Sequence, residues 1–231
     1  MGKKEQVTNM FDKIAKSYDL LNHLLSFGID KRWRKKAVNI LQQNNPAKVL
    51  DVATGTGDFA FSISMSGVAE VVGVDLSEEM INVAKSKFKQ HYSDKNIIFK
   101  LADAEKLPFD DNVFDAATVA FGVRNYENLE IGLKELYRVI KPGGKTVIIE
   151  FSKPKHFPFR NIYHLYFKYF VPFIGGIISK DKKAYRYLYH SVDNFPYGNN
   201  FIVKLDKAGF NNNKSIPLTF GIASIYLANK S

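Results

Sequence analysis

Asp51, Gly55, Gly57, Asp58 and Asp75 are the residues whose types and spacing most directly suggest chemistry in this chain. The run Lys48-Val-Leu-Asp51-Val-Ala-Thr-Gly55-Thr56-Gly57-Asp58 carries an apolar stretch into an acid, turns on two glycines, and opens into Phe59-Ala60-Phe61. A strand that breaks into glycines and re-forms as a helix brings backbone N–H groups close to a ligand. A second apolar run, Val71 to Asp75, ends on an acid eighteen residues after Gly57, where a ribose-binding carboxylate belongs in such a sheet. Gly55-Thr-Gly57-Asp-Phe-Ala60 fits the G-x-G-x-x-A form of a dinucleotide fingerprint, so NAD is one ligand to weigh. A pyrophosphate, however, wants N–H groups and no nearby anions. Asp51 and Asp58 bracket this loop with no Lys or Arg between them. A ligand carrying an ammonium and a sulfonium suits those carboxylates better, and S-adenosylmethionine is such a ligand. The plain alternative is a strand–turn–helix corner whose glycines serve packing alone.

The elements that must hold these residues follow from periodicity. Residues 5–42 read mainly as helix, with Val7, Phe11, Ile14, Ala15 and Tyr18 at helical spacing. Strands are expected at Val49–Val52, Val71–Val74, Ile97–Leu101, Ala116–Phe121 and Thr146–Phe151, with helices near 58–66, 78–91 and 127–140 between them. Such alternation implies a doubly wound, mostly parallel α/β sheet. Residues 157–190 are rich in aromatics and read as a helical insertion; a short helix near 199–208 then leads to strands at about 214–220 and 223–228. The short Phe220-Gly221-Ile222 connection makes that pair an antiparallel hairpin at the sheet edge, for seven strands in all. Ligands of such sheets lie at the carboxyl ends of strands. Asp103-Ala104 after the third strand, positioned to meet an adenine amino group, and Ala120 with Phe121-Gly-Val-Arg124-Asn125 after the fourth therefore join the candidates; Asp103 as a plain solvated acid is the alternative.

Bulk properties exclude several chemistries. At 231 residues the chain suits one domain with a full core. It has no cysteine, which removes disulfides, thiolate zinc sites and a Cys nucleophile, and its five histidines lack metal-like spacing. The start Met-Gly-Lys-Lys-Glu-Gln has no apolar core of a signal peptide, and no apolar run reaches a membrane span, so a cytoplasmic location is expected. A formal charge of +10, concentrated at Lys31–Lys36, Lys153–Lys168 and Lys180–Lys183, suits nucleic acid or an anionic membrane surface, or simply solvated helix faces.

A parallel core closed by an antiparallel pair resembles the class I S-adenosylmethionine-dependent methyltransferases. Two further stretches are similar to the ubiquinone/menaquinone biosynthesis C-methyltransferases. One is Tyr18-Asp19-Leu-Leu-Asn22-His-Leu-Leu-Ser26-Phe-Gly-Ile-Asp30-Lys-Arg-Trp33, against a family pattern Y-D-x-M-N-x-x-[aliphatic]-S-x-x-x-H-x-x-W. The other runs from Arg138-Val-Ile-Lys-Pro142-Gly-Gly to Glu150-Phe-Ser152. In the second, Pro142 ends a helix and the glycines turn the chain into the next strand. Leu21 stands for the family Met, a near-isosteric exchange. Asp30 stands for the family His, which argues against proton transfer there and suits a cap for the helix starting at Lys31.

The resemblance implies methyl transfer from S-adenosylmethionine to a ring carbon of a prenylated demethylquinol, demethylmenaquinol first, with the ubiquinone-pathway benzoquinol as a further acceptor. A ring carbon is a poor nucleophile until a neighbouring phenol, pKa about 10, loses its proton. Arg124 stays protonated and so fits a fixed cation beside a forming phenolate, not a base. Asn125 would donate to the second ring oxygen, and Tyr18 would orient a water or the hydroxyl. The residues expected on the methyl donor are Asp51, Gly55, Thr56, Gly57, Asp75, Leu76, Asp103, Ala104 and Ala120; no metal is expected. A salt-bridged Arg124 and a core Tyr18 are the structural alternatives. The aromatic insertion would admit the polyprenyl tail or rest on anionic lipid at the inner face of the membrane. Nucleic acid is not expected as a partner, since no Asn/Asp-Pro-Pro-aromatic motif follows the fourth strand, and a homo-oligomer is compatible with the sequence. A nucleic-acid or other small-molecule methyltransferase, an NAD-linked oxidoreductase and a non-catalytic scaffold are the competing functions.

Overall fold

A computed structural model describes residues 2–154, 157–166, 169 and 182–231. The helices are α1 (Lys3–Leu25), α2 (Ile29–Leu41), α3 (Asp58–Met65), α4 (Glu78–His91), α5 (Leu129–Val139), α6 (Phe159–Leu165), α7 (Lys182–Asn194) and α8 (Asn199–Lys207). The strands are β1 (Lys48–Val52), β2 (Glu70–Asp75), β3 (Ile97–Leu101), β4 (Phe114–Ala120), β5 (Ile140–Phe151), β6 (Asn211–Leu218) and β7 (Ala223–Asn229). They form one seven-stranded sheet in the order β3-β2-β1-β4-β5-β7-β6. The first five are parallel; β7 runs antiparallel to β5 and to β6.

Strands buried on both faces read as continuous apolar runs, which is why Val49–Val52 and Val71–Val74 were legible. One face packs on Leu133, Leu136, Phe201 and Leu205 of α5 and α8; the other on Trp33, Ala37 and Leu41 of α2 with Phe59, Phe61 and Ile63 of α3. The edge strand β6 begins with three asparagines and contains Pro217, a composition that discourages further pairing. It starts earlier than expected, because an Asn run carries no strand signal. The hairpin turn follows Leu218 and places Thr219, Phe220 and Gly221 all at positive φ.

The Lys-Pro-Gly-Gly turn works differently from the expectation. Helix α5 already ends at Val139, and Ile140 pairs with Phe114 before the register jumps to Lys145 opposite Ala116. The intervening residues bulge out. A Cβ on Gly144 would lie 2.7 Å from the Asp115 carbonyl and 2.8 Å from that of Lys141, so the bulge closes only with glycine there. The aromatic insertion is represented by α6 and α7; residues 167–168 and 170–181 lie outside the described residues.

At the junction of β1 and β4 sits a buried acid. Asp51 lies opposite Thr118 in the parallel register and accepts from the Thr118 hydroxyl at 2.6 Å and from Thr54 Oγ1 at 2.6 Å. Burial pushes its carboxyl from 3.8 up to about 6, against the pull of both hydroxyls. The folded state therefore binds this proton more tightly than the unfolded chain, and stability falls as pH rises from about 4 to about 6. Asp51→Asn keeps the hydroxyl contacts without the charge. Its melting temperature relative to wild type should be lowest near pH 4 and climb to a plateau above pH 6; a difference that stays flat across a pH 4–8 melting series would contradict the buried-acid assignment.

Candidate active site

A cleft of about 740 Å³, open to solvent, lies at the carboxyl ends of β1 to β4. Its walls are the four loops that follow those strands and the inner face of α1. Of the residues expected from sequence, Tyr18, Gly55, Asp75, Leu76, Asp103, Ala104, Ala120 and Asn125 line it together. Asp51, Thr56, Gly57 and Arg124 stand behind the walls.

The β1 loop is built for close approach. Ala53, Gly55 and Gly57 all have positive φ. Gly57 starts α3 as its N-cap, and a Cβ there would sit 2.8 Å from the Phe61 ring. Gly55 has room, with the Tyr18 ring 3.8 Å from where its Cβ would be. Across the cavity the β4 loop is equally constrained. Phe121 is held at positive φ while its N–H bonds the Ile149 carbonyl at 2.7 Å, and a Cβ on Gly122 would strike that of Ala53 at 2.5 Å. Two glycine-dependent loops thus meet at the mouth of the sheet.

Asp75 ends β2 with its carboxylate already oriented. The Gly55 N–H donates to one oxygen at 2.8 Å and the Ser77 N–H to the other at 2.9 Å. Burial raises its pKa, and these backbone donors oppose the rise. Each oxygen keeps a lone pair for a further donor, the geometry a vicinal diol needs. Asp103 is held by the Glu105 N–H at 2.9 Å and by Lys4 at 2.7 Å. The Tyr126 hydroxyl on the wall is buried and has no hydrogen-bond partner among the described residues, and burial raises its pKa, with Asp75 and Glu105 adding to the shift. An orphaned phenol among acids is a place for a ligand's polar group.

The donor set fits a cationic nucleoside better than a pyrophosphate. Asp75, Asp103, Glu105 and Glu127 line the cavity, and the one lysine on its wall among the described residues, Lys4, is committed to Asp103 and Glu105. Two charge assignments made from sequence need correction, however. Asp58 does not face the cavity. As the first residue of α3 it turns outward, where Lys87 lies at 2.5 Å, with Arg34 and His23 each at 3.3 Å. Burial works against its charge, but Lys87, Arg34 and His23 together lower its pKa. Nor does Asp30 cap a helix. Gly28, in the left-handed conformation, caps α2 two residues ahead of Asp30, so Asp30 falls inside the first turn. There it is buried and accepts from Ser26 Oγ at 2.5 Å, His23 Nδ1 at 2.9 Å, and Arg34.

Arg124 sits under the β4 loop. Its guanidinium donates to Glu150 Oε1 at 2.7 Å and to the Phe121 carbonyl, and lies 5.3 Å from the centre of the Phe151 ring. Glu150 is fully buried. Burial pushes its carboxyl up, while Arg124 and the Phe151 N–H, at 2.8 Å, pull it back. The buried Nε of Arg124 has no partner among the described residues. The Tyr187 hydroxyl donates to Asn125 Oδ1 at 3.2 Å, which ties α7 to the cavity rim. Tyr18, Tyr163 and Tyr187 are all raised by burial, and in each case Arg124 opposes the shift, so the arginine lies within electrostatic reach of three phenols.

Several residues in or beside the wall carried no clear signal in the sequence. Lys4 and Asp12 look like solvated helix positions, and Tyr126 looks like core. Glu150 was detectable as an acid closing the apolar run Thr146–Ile149, and Ser77 as a cap before Glu78-Glu79; its hydroxyl accepts from the Met80 N–H at 3.2 Å.

Comparison with known proteins places these features in context. Among solved structures, a SAM-dependent methyltransferase from Thermotoga maritima described as a possible histamine N-methyltransferase superposes with a TM-score of 0.67 at 17% identity, covering 97% of this chain and 99% of that one. The [4+2]-cyclase SpnF gives 0.66 at 16% identity, covering 100% of this chain and 97% of its own. At such identities the likeness concerns the fold alone, and the cyclase shows how far chemistry diverges on it. Sequence relatives are much nearer. The demethylmenaquinone methyltransferase of Bacteroides fragilis is 46% identical over 231 residues, 99% of this chain and 94% of that protein. The ubiquinone/menaquinone biosynthesis C-methyltransferase UbiE of Geotalea daltonii is 44% identical over 230 residues, covering 99% and 97%. The model of the ubiE/COQ5 methyltransferase family matches residues 1–230. With loops, sheet order and sequence in agreement over nearly its whole length, the chain belongs to the ubiE/COQ5 methyltransferase family.

Proposed function

We propose that this protein is the S-adenosylmethionine-dependent C-methyltransferase of a prenylated demethylquinol, with demethylmenaquinol as its acceptor. The relatives' shared activity supports the reaction class. The observation that carries it on this chain is the acid-lined cavity: Asp75 pre-oriented by two backbone N–H groups, beside a buried cation at Arg124. S-adenosylmethionine supplies an electrophilic methyl when bound. Asp75 would hold its ribose hydroxyls, Asp103 and Ala104 its adenine, and the Gly55 loop its amino-acid end.

Arg124 then acts on the acceptor. A fixed guanidinium in a dry site stabilises a phenolate as it forms, with no reorganisation at the moment of reaction. The pairing with Glu150 supports that role, because it fixes the cation against the β4 loop. The Arg124 Nε, without a partner among the described residues, would donate to the acceptor oxygen. Asn125, held by Tyr187, would donate to the second oxygen, and Tyr18 would orient a water that carries the proton away.

Delivery of a tail-bearing substrate points to a lipid surface. No helix among the described residues is long and apolar enough to cross a membrane. Yet Phe157, Phe27 and Phe220 are 79%, 72% and 69% exposed. Phe220 stacks on Phe159 of α6 at 4.1 Å, and Phe27 lies near Tyr166 just beyond that helix. Lys153 and Arg160 border the groove beside α6. Exposed aromatics with cations between them suit the headgroup boundary of an anionic bilayer.

Two outcomes follow. Arg124→Ala should abolish turnover on reduced demethylmenaquinone while S-adenosylmethionine still binds by calorimetry. It also strands Glu150, at a cost of about 3–5 kcal/mol, so Arg124→Met with Glu150→Gln is the companion: stability recovers and turnover does not. Full turnover of the double variant would remove the proposed role. Flotation with vesicles should show binding to anionic and not to neutral lipid, weakened several-fold by Phe220→Asp; equal recovery from the bottom fraction in both mixtures would discard the surface.

A further inference from the structure

Helix α1 crosses the open ends of three strands, and each of the loops after β1, β2 and β3 is tied to it. From the first, Thr56 Oγ1 donates to Asp19. From the second, Ser77 Oγ donates to Asp12 at 2.5 Å, with the Glu79 N–H at 3.4 Å from the same oxygen. From the third, Asp103 and Glu105 take Lys4 at 2.7 and 3.4 Å. Lys4, Asp12 and Asp19 are eight and seven residues apart, so they share one face of the helix. That same face presents Val7, Thr8, Phe11 and Tyr18 to the cavity.

Two things hold α1 down: these polar ties, and a small apolar cluster of Met10, Phe11, Ile14, Ala15 and Tyr18 with Met80 and Val83 of α4, separate from the two cores on the sheet. Among the described side chains of this 23-residue helix, only Val7, Ile14 and Ala15 are buried. The Lys4 and Asp103 side chains retain 31% and 28% exposure, and Asp19 retains 31%, so water competes for these contacts. Lys87 of α4 adds a second grip on Asp19 at 2.8 Å while it holds Asp58 at 2.5 Å. Asp19 adjoins Tyr18, whose ring closes over Gly55; any outward swing of α1 withdraws that phenol with it.

We infer that α1 is the movable wall of the cofactor site, and that Lys4, Asp12 and Asp19 are positioning residues whose ties set how long the methyl donor and its demethylated product stay bound. Each tie joins the wall to a loop that also touches the cofactor, so occupancy orders the loops and the loops hold the wall. Opening it releases the nucleoside. This rests on the cavity being the S-adenosylmethionine site.

Because the chain has no cysteine, Asp12→Cys with Ser77→Cys creates a single disulfide pair. Oxidised with radiolabelled S-adenosylmethionine inside, the protein should retain label through gel filtration; oxidised empty, it should take label up at least ten-fold more slowly than after reduction. Equal exchange in both redox states, with the disulfide verified by mass, overturns the inference. Independently, Asp12→Ala should speed dissociation roughly five-fold (about 1 kcal/mol), and Asp12→Asn, which keeps a carbonyl acceptor, should restore most of the residence time. An unchanged rate for Asp12→Ala overturns the inference even if the cysteine pair fails to fold. Failure of the wild type to bind S-adenosylmethionine at all would instead remove the site assignment underneath it.

Discussion

The bond on which the site depends is the one between Asp51 and two threonines. Thr118 ties the end of β1 to β4, and Thr54 fixes the start of the loop beyond. With β1 and β4 locked at their carboxyl ends, Ala53 and Gly122 are forced into contact, and the two loops can only diverge around a cavity. The acid is buried for this purpose. Its cost is the desolvation that raises its pKa, offset in part by two hydroxyl donors. An apolar residue could pack there, but it would not gather both threonines.

A second theme is the allocation of charge. The cavity wall is acidic, while the cations near it are spoken for: Lys4 by Asp103 and Glu105, Arg124 by Glu150. Outside the wall, Arg34 and Lys87 neutralise Asp30, Asp58 and Asp19 in a continuous chain of contacts, with the His23 ring bridging Asp30 and Asp58. The glycine loop is therefore supported from behind by an ion-pair network and presented forwards as bare backbone.

Much of this was legible in the sequence, and the part that was not shares a cause. Parallel strands announce themselves as unbroken apolar runs, and Asp75 was found because it closes one. Direction was harder to read. Asp58 adjoins the glycines in sequence, yet the turn at Gly57 rotates its side chain to the far side of the loop. Asp30 looked like a cap until Gly28, at positive φ, began the helix ahead of it. Lys4 and Asp12 have the sequence character of solvent-facing helix positions; only the crossing of α1 over the sheet turns that face inward. The resemblance to quinone methyltransferases supplied the reaction, which spacing alone could not, since the same frame also hosts a cyclase.

The sheet order has a consequence for assembly. Strand β7 is an interior strand, flanked by β5 and β6, although it follows both of them along the chain. Until it inserts, β5 exposes one hydrogen-bonding edge, and β6 has nothing to pair with. The five parallel strands that carry the cofactor loops can reach their register first, leaving a sticky border that the closing strand then seals. Lesions in Ala223–Asn229 should therefore act less on the chemistry than on the fate of the newly made chain, by lengthening the time that border stays open to other molecules.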